Sequence, residues 1–433
     1  MYTQTLKLLD QENKFLKNFF LFIFFYIILE GAIIKWLFPN LLTEIIFIRD
    51  SIIIYGILYS FKNGIYKRIG WQKDIIFFWT LIIVFWIVLQ LLINQIDSRV
   101  YLIGFRNWVL YFWFSLMFVN ALNKDILHLI SKIILLTIIP MGLLVVVQHY
   151  LPANHVLNTQ SGLIDVEERI FTVAYGIVRT VGTFTFAYGY SQYMAFVTPF
   201  FLYFIDGGHK NDLSKKIKFI LILSYVFGVM VSGSRGVIIN ASFMFVIYLF
   251  YIVKNRKEKK IIPILLWILM LTILALVFFQ DAIEATMFRF ESAGTDGWFF
   301  GRIYEAITGS EMAWKNFSFL GTGIGAGSNM SREYIGGISF FLGEGETDRI
   351  LGEGGLIGLL FFIFKILFSI IVLFKSYSLS KASNNILPFF FAIFISLQAT
   401  TGQITGQINA HAFTFLGLAL MFSILTMNFN LKK

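Results

Sequence analysis

Long apolar runs separated by short polar breaks dominate the chain. A membrane-spanning helix needs about 20 mostly apolar residues. Runs of that kind cover 19–38, 43–60, 75–93, 101–119, 130–150, 186–205, 217–232, 237–253, 261–279, 354–374, 386–402 and 410–428. The pattern predicts an all-α, polytopic integral membrane protein with about twelve transmembrane helices in one transmembrane domain over 1–433. The second run carries Glu44, Arg49 and Asp50, and the last two runs meet at a polar junction. Two connecting segments are long, 151–185 and 280–353, and loops of that size are usually functional. The larger one lies between the ninth and tenth runs, is rich in glycine and acids, and holds a short helical pattern from Arg302 to Trp314. The first run is too long for the apolar part of a cleavable signal and lacks a small-x-small site, so it reads as the first membrane helix. No 20–50-residue period marks a solenoid, and no inverted repeat of the transporter kind is visible.

Composition narrows the class further. Of 433 residues, 58% are apolar and 14% charged, with a mean hydropathy of +0.76. A soluble domain carries about 25% charge, so a soluble globule, a disordered chain and a coiled coil are excluded. Cysteine is absent, which excludes disulfides, thiolate metal sites and a cysteine nucleophile. A net charge of +10 would suit nucleic acid. Mapped onto the runs, however, the lysines gather on one side: Lys7, Lys14 and Lys17, then Lys62, Lys67 and Lys73 with Arg68, then Lys124 and Lys132, then Lys210 to Lys218, then Lys254 to Lys260 with Arg256, then Lys375 and Lys381, and finally Lys432 and Lys433. By the positive-inside rule this puts both termini in the cytoplasm. The positive excess is then a topology signal, and no nucleic-acid partner is expected.

The basic residues left over are mostly arginine: Arg49, Arg99, Arg106, Arg169, Arg179, Arg235, Arg289, Arg302, Arg332 and Arg349, against only Lys35, Lys315 and Lys365. Topology alone does not ask for that split. Arginine grips phosphate or carboxylate with a planar fork and keeps its charge. Arg49 and Arg106 lie roughly 8–10 Å along their runs from the outer ends. A basic side chain at that depth costs about 2.5–3.5 kcal/mol. Pairing with Glu30, Glu44 or Asp50 would offset it. A cationic pocket open to the outer leaflet, holding an anionic headgroup, would also explain it and suits the group of ten better.

Four motifs carry candidate chemistry. Ser232-Gly233-Ser234-Arg235-Gly236 turns tightly between two adjacent runs and projects an arginine. Gly301-Arg302-x-Tyr304-Glu305 and Trp314 open the acidic half of the larger loop. Gly321-Thr322-Gly323-Ile324-Gly325-Ala326-Gly327 lacks the Lys-Ser/Thr ending and the preceding strand of a phosphate loop, but its backbone N–H groups could still face an anion. Glu344, Glu346, Asp348 and Glu353 converge with Arg349 at the entrance to Gly354-Gly355-Leu356-Ile357-Gly358-Leu359-Leu360. They are candidate general bases, and also ordinary residues for a helix N-terminus. The histidines are scattered: His128 and His209 fall on the cytoplasmic side, while His149, His155 and His411 lie at outer ends.

The order of these motifs resembles the O-antigen ligase and O-antigen polymerase superfamily of bacterial membrane glycosyltransferases. Glu30-Gly31-x3-Lys35-Trp36-x2-Pro39, Arg49-Asp50 and Arg179-x-x-Gly182-Thr183-Phe184 are similar to members as well. The resemblance covers most of the chain as topology and specific residues only in these patches. It implies a helical fold in the bacterial inner membrane, with the active site facing the periplasm. It implies a metal- and cofactor-independent transferase acting on glycan carried by undecaprenyl diphosphate, with flippase and chain-length regulator proteins as further partners. Arg179, Arg235 and Arg302, with Arg289, would bind the diphosphate by this resemblance, and the charge map adds Arg349, Arg49 and Arg106. The ligase branch carries a histidine shortly before the Glu-x-Gly entrance. Here that stretch is Glu344-Gly345-Glu346-Thr347-Asp348, which favours a surface-polysaccharide polymerase over a ligase. A flippase or transporter of lipid-linked glycan is the alternative from another class.

Overall fold

The computed structural model describes residues 2–159, 172, 176–209, 212–255, 273, 277–295, 299–335 and 345–427. Helices account for nearly all the regular structure there, and no strand is present among the described residues beyond one isolated bridge, Thr172 to Val178. In chain order they are α1 (Tyr2–Ala32), α2 (Leu42–Lys62), α3 (Trp71–Ile93), α4 (Ser98–Phe105), α5 (Tyr111–Leu116), α6 (Lys124–Tyr150), α7 (Ala187–Ile205), α8 (Lys215–Met230) and α9 (Arg235–Asn255). Then follow α10 (Gln280–Thr295), α11 (Phe299–Thr308), α12 (Glu311–Lys315), α13 (Glu346–Gly354), α14 (Leu356–Ser383), α15 (Leu387–Thr401) and α16 (Ile408–Thr426).

Among the described residues, six helices are long and apolar enough to cross a membrane: Gln11–Leu37, Trp71–Ile93, Lys124–Tyr150, Arg235–Asn255, Leu356–Ser383 and Ile408–Thr426. The protein is therefore a helical membrane protein. Phe78, Phe85 and Leu92 on α3 and Phe374 on α14 are exposed, as lipid-facing side chains would be. The opposite case is α7, α15 and α16, which are apolar and buried almost all round. A helix of that kind belongs at the centre of a bundle. Their aromatic rings interlock there, with Phe196 and Phe413 at 5.3 Å and Phe200 and Phe391 at 5.0 Å between centroids.

Three expectations meet a more detailed structure. The run 101–119 is not one helix: α4 widens into a π-helical turn, Arg106–Leu110, before α5. A second π-helical turn, Ile33–Leu37, ends α1. Each of these turns carries a buried cation, Arg106 and Lys35, and single π turns often mark functional positions. The helix expected from Arg302 to Trp314 is two, because Gly309 adopts φ +86° and Ser310 caps α12 through a 3.2 Å bond to the Ala313 N–H. The acidic loop also begins helically, as α10.

Many hydrogen bonds between elements fall at one end of the bundle. It gathers the C-terminal ends of α1, α3, α6, α8 and α15 and the N-terminal ends of α2, α4, α7, α9, α14 and α16. The glycine-rich segment and α13 pack into this end. Gly355 makes that possible: it sits at φ +55°, and a β-carbon there would fall 2.3 Å from the Phe319 carbonyl oxygen.

Candidate functional site

The upstream motifs meet each other. Lys35 Nζ donates to the Gly182 carbonyl at 2.8 Å. Gln148 holds the same peptide from the other side, donating to the Gly182 carbonyl at 2.9 Å and accepting from its N–H at 2.8 Å. Thr180 Oγ1 donates to the Val231 carbonyl at 3.0 Å, and Ser234 Oγ lies 3.0 Å from Ser191 Oγ. The Arg179 segment and the Ser232–Gly236 turn are thus fastened together, and both Arg179 and Arg235 are half-buried.

Beside them, Arg49 and Arg106 form a network of paired charges, in which Glu30 Oε2 and Arg49 Nη2 have no hydrogen-bond partner among the described residues. Arg49 Nη1 donates to Glu30 Oε1 at 2.6 Å, and Arg106 Nε to Asp50 Oδ2 at 2.5 Å. Tyr111 bridges the pairs: its hydroxyl donates to Asp50 Oδ1 at 2.6 Å and accepts from Arg49 Nε at 3.1 Å. All five side chains are buried. Two cations face two anions, so the formal charge within the network balances. Arg106 Nη1 passes the chain on to Asn107 Oδ1 at 2.8 Å, and Asn107 Nδ2 donates to the Thr405 carbonyl at 2.9 Å.

The glycine-rich segment does bind an anion, and that anion is Glu353. Its Oε2 accepts from the N–H groups of Gly325 (2.8 Å) and Gly327 (3.1 Å), and its Oε1 from Trp108 Nε1 (2.9 Å). Burial pushes this carboxyl up to about 7 despite the donors. Gln90 locks the arrangement, donating to the Leu320 and Glu353 carbonyls and accepting from Ile324 N–H. Asp348 is occupied as well, accepting from Ser310 N–H at 2.7 Å and so tying α12 to α13.

Glu346 differs. Its Oε1 accepts from Thr405 N–H at 2.9 Å, but its buried Oε2 has no hydrogen-bond partner among the described residues. Thr405 belongs to the polar turn 402–407 between α15 and α16. Around that turn, Gln192 Oε1, Gln398 Oε1, Thr405 Oγ1 and His411 Nε2 are also buried without a hydrogen-bond partner among the described residues. Unsatisfied buried polar atoms are uncommon and ask for an explanation. Arg349 lies against the same turn, and a β-carbon on Gly406 would fall 1.5 Å from its Nη1. Tyr188, at the start of α7, lies in the field of both Glu346 and Arg349, and its hydroxyl accepts from Gln403 N–H at 3.4 Å. Lys365 on α14 is buried and also in the field of Glu346.

A groove of about 600 Å³ opens over α11 and α12, lined by Tyr304, Glu305, Thr308, Glu311 and Trp314 among others. Arg302 lies on α11 and Arg289 on α10; their side chains, and Glu344 altogether, lie outside the described residues. The structure thus brings Glu346 and Arg349 together with the buried pair network, and puts Arg179 and Arg235 on a neighbouring joined segment. Sequence reasoning missed Asn107, Tyr188, Gln192, Gln398 and Thr405. The polar junction between the last two apolar runs was a signal for Gln398 and Thr405 alone. Among the described residues, one group with metal-ligating character, His128, His209 and Asp212, stands at the opposite end of the bundle. No protein-family model, curated protein or solved structure matches this chain.

Proposed function

We propose that this protein is a bacterial inner-membrane polymerase of surface polysaccharide, of the O-antigen polymerase kind. It transfers glycan from an undecaprenyl-diphosphate-linked donor to a lipid-linked glycan acceptor. In this reading α2, the α4–α5 pair, α7, α8 and α15 join the six long helices in the bilayer; the twelfth expected span, 261–279, lies mostly outside the described residues. Both termini are cytoplasmic, and the end bearing Glu346 faces the periplasm. The observation that carries the reading is Glu346, buried beside Arg349 and a polar turn, with one carboxylate oxygen still open.

Glu346 Oε2 takes the proton from an acceptor hydroxyl. The acceptor hydroxyl oxygen bonds to C1 of the donor sugar as the C1–O bond to the diphosphate breaks, and the lipid diphosphate leaves. Arginines fixed near the leaving group stabilise its growing charge, commonly the largest contribution in such chemistry. Arg179, Arg235, Arg302 and Arg349 are assigned that task, and Arg289 is assigned to it as well. Arg49 and Arg106 act at one remove, holding Asn107 and the 402–407 turn in place. The groove lined by Tyr304, Glu305, Glu311 and Trp314 offers aromatic faces and acceptors suited to sugar rings.

The test is the glycan profile of a deletion strain and its complements. Single repeat units on the cell surface support polymerase, and Arg235→Ala and Arg302→Ala complements should give the same profile while inserting normally. Long polymer left on the lipid carrier would indicate a ligase instead. Full-length surface polymer from both arginine variants would remove their assigned role. Polymer made by purified protein in detergent would exclude transport as the sole activity.

A further inference from the structure

The end of α6 opposite Gln148 holds a cluster that the proposed glycan chemistry does not use. His128 stands in the second turn of α6, and His209 and Asp212 in the turn between α7 and α8. His128 Nε2 lies 2.5 Å and His209 Nδ1 3.0 Å from the same atom, Asp212 Oδ2. The two imidazole rings are 4.3 Å apart between centroids, and the three ligand atoms lie within 4.8 Å of one another.

Ser131 Oγ lies 2.8 Å from the His128 carbonyl and 2.9 Å from His209 Nε2. It holds the His209 ring by that nitrogen, with Nδ1 aimed at the carboxylate. With Nε2 donating to Ser131 Oγ, the neutral ring offers the Nδ1 lone pair to a cation at the point that Asp212 Oδ2 and His128 Nε2 also face. A ring nitrogen held by a hydrogen bond while the other points at a shared focus is also how metal-ligating histidines are oriented.

We propose that His128, His209 and Asp212 bind one divalent transition-metal ion, zinc fitting the donor set best, which ties the α7–α8 turn to the start of α6. Two imidazoles and one carboxylate suit zinc, and the fourth position is left to water. Ligand atoms around tetrahedral zinc sit about 3.3 Å apart, given Zn–N and Zn–O distances near 2.0–2.2 Å. The cluster must therefore open by somewhat under 1 Å. The His128 side chain, 41% exposed, has room to move. The site is separate from the proposed transfer chemistry: His128 and Gln148 are about 30 Å apart along α6, at 1.5 Å per residue. Its role is to hold the turn, so the transferase itself stays metal-independent.

The experiment uses the full-length protein, purified in detergent through a histidine-free tag and stripped with a chelator. Zinc chloride should restore one zinc per chain by elemental mass spectrometry and raise the thermal midpoint. Cobalt(II) should give the visible ligand-field bands of a low-coordinate nitrogen–oxygen site. His128→Ala is the decisive variant because its side chain is partly exposed. It should lose the stoichiometric zinc and the cobalt bands, and Ser131→Ala should bind zinc about 10–100-fold more weakly. No zinc on the wild-type chain, or one zinc retained unchanged by His128→Ala, would overturn the proposal.

Discussion

Two buried charge networks lie side by side at one end of the bundle, and they differ in how their charges are met. In the first, Glu30, Arg49, Tyr111, Asp50 and Arg106 set each cation at bonding distance from an anion, with Glu30 Oε2 and Arg49 Nη2 left without a hydrogen-bond partner among the described residues. In the second, Glu346 and Arg349 meet the 402–407 turn, where Glu346 Oε2 and four further polar atoms have no hydrogen-bond partner among the described residues. A buried charge bonded directly to its opposite is scaffold. An unpartnered carboxylate oxygen at a turn with several more unpartnered polar atoms is where a polar substrate atom can be received. Both networks bury carboxylates and arginines, and the group of open polar atoms at the turn separates them.

Substitutions can break that comparison. The largest loss of stability is expected from Arg49→Ala or Arg106→Ala, which leaves a buried carboxylate unpaired at a cost of about 3–5 kcal/mol. Thermal unfolding in detergent should show a large fall or no folded protein. Next comes Glu353→Gln. All three groups facing Glu353 are donors, so an amide NH2 must confront at least one of them. The expected cost is about 1–3 kcal/mol, read as a lower thermal midpoint. Tyr111→Phe belongs in the same range, since it removes the hydroxyl that joins the two ion pairs. Glu346→Gln keeps the oxygen that accepts from Thr405 and should shift the midpoint by less than about 1 kcal/mol. The exposed Lys315–Glu311 pair, at 2.6 Å, is the control: Lys315→Ala should leave the midpoint unchanged, because solvated pairs contribute little.

The helices were legible because apolar length is a local property. The runs 75–93, 130–150 and 186–205 reappear as α3, α6 and α7. The break inside 101–119 was not legible, since it follows from where Arg106 must reach to meet Asp50, a partner on another helix. Gly321 to Gly327 shows the same limit in chemistry. The spacing rightly suggested N–H groups turned toward an anion, but whether that anion is a ligand or Glu353 depends on a contact across the fold. Glu346 and Glu353 looked equivalent in sequence, seven residues apart, and their surroundings tell them apart. His128 and His209, each unremarkable alone, gain meaning only because the fold brings them onto one aspartate.

The most direct test of the central distinction is polymer formation by purified Glu346→Gln protein given a lipid-diphosphate-linked repeat unit. Wild-type protein should produce a ladder of lengthening glycan. Glu346→Gln should fold with a near wild-type midpoint and yield no ladder. A Glu346→Gln ladder as fast and as long as that of wild type would contradict the account.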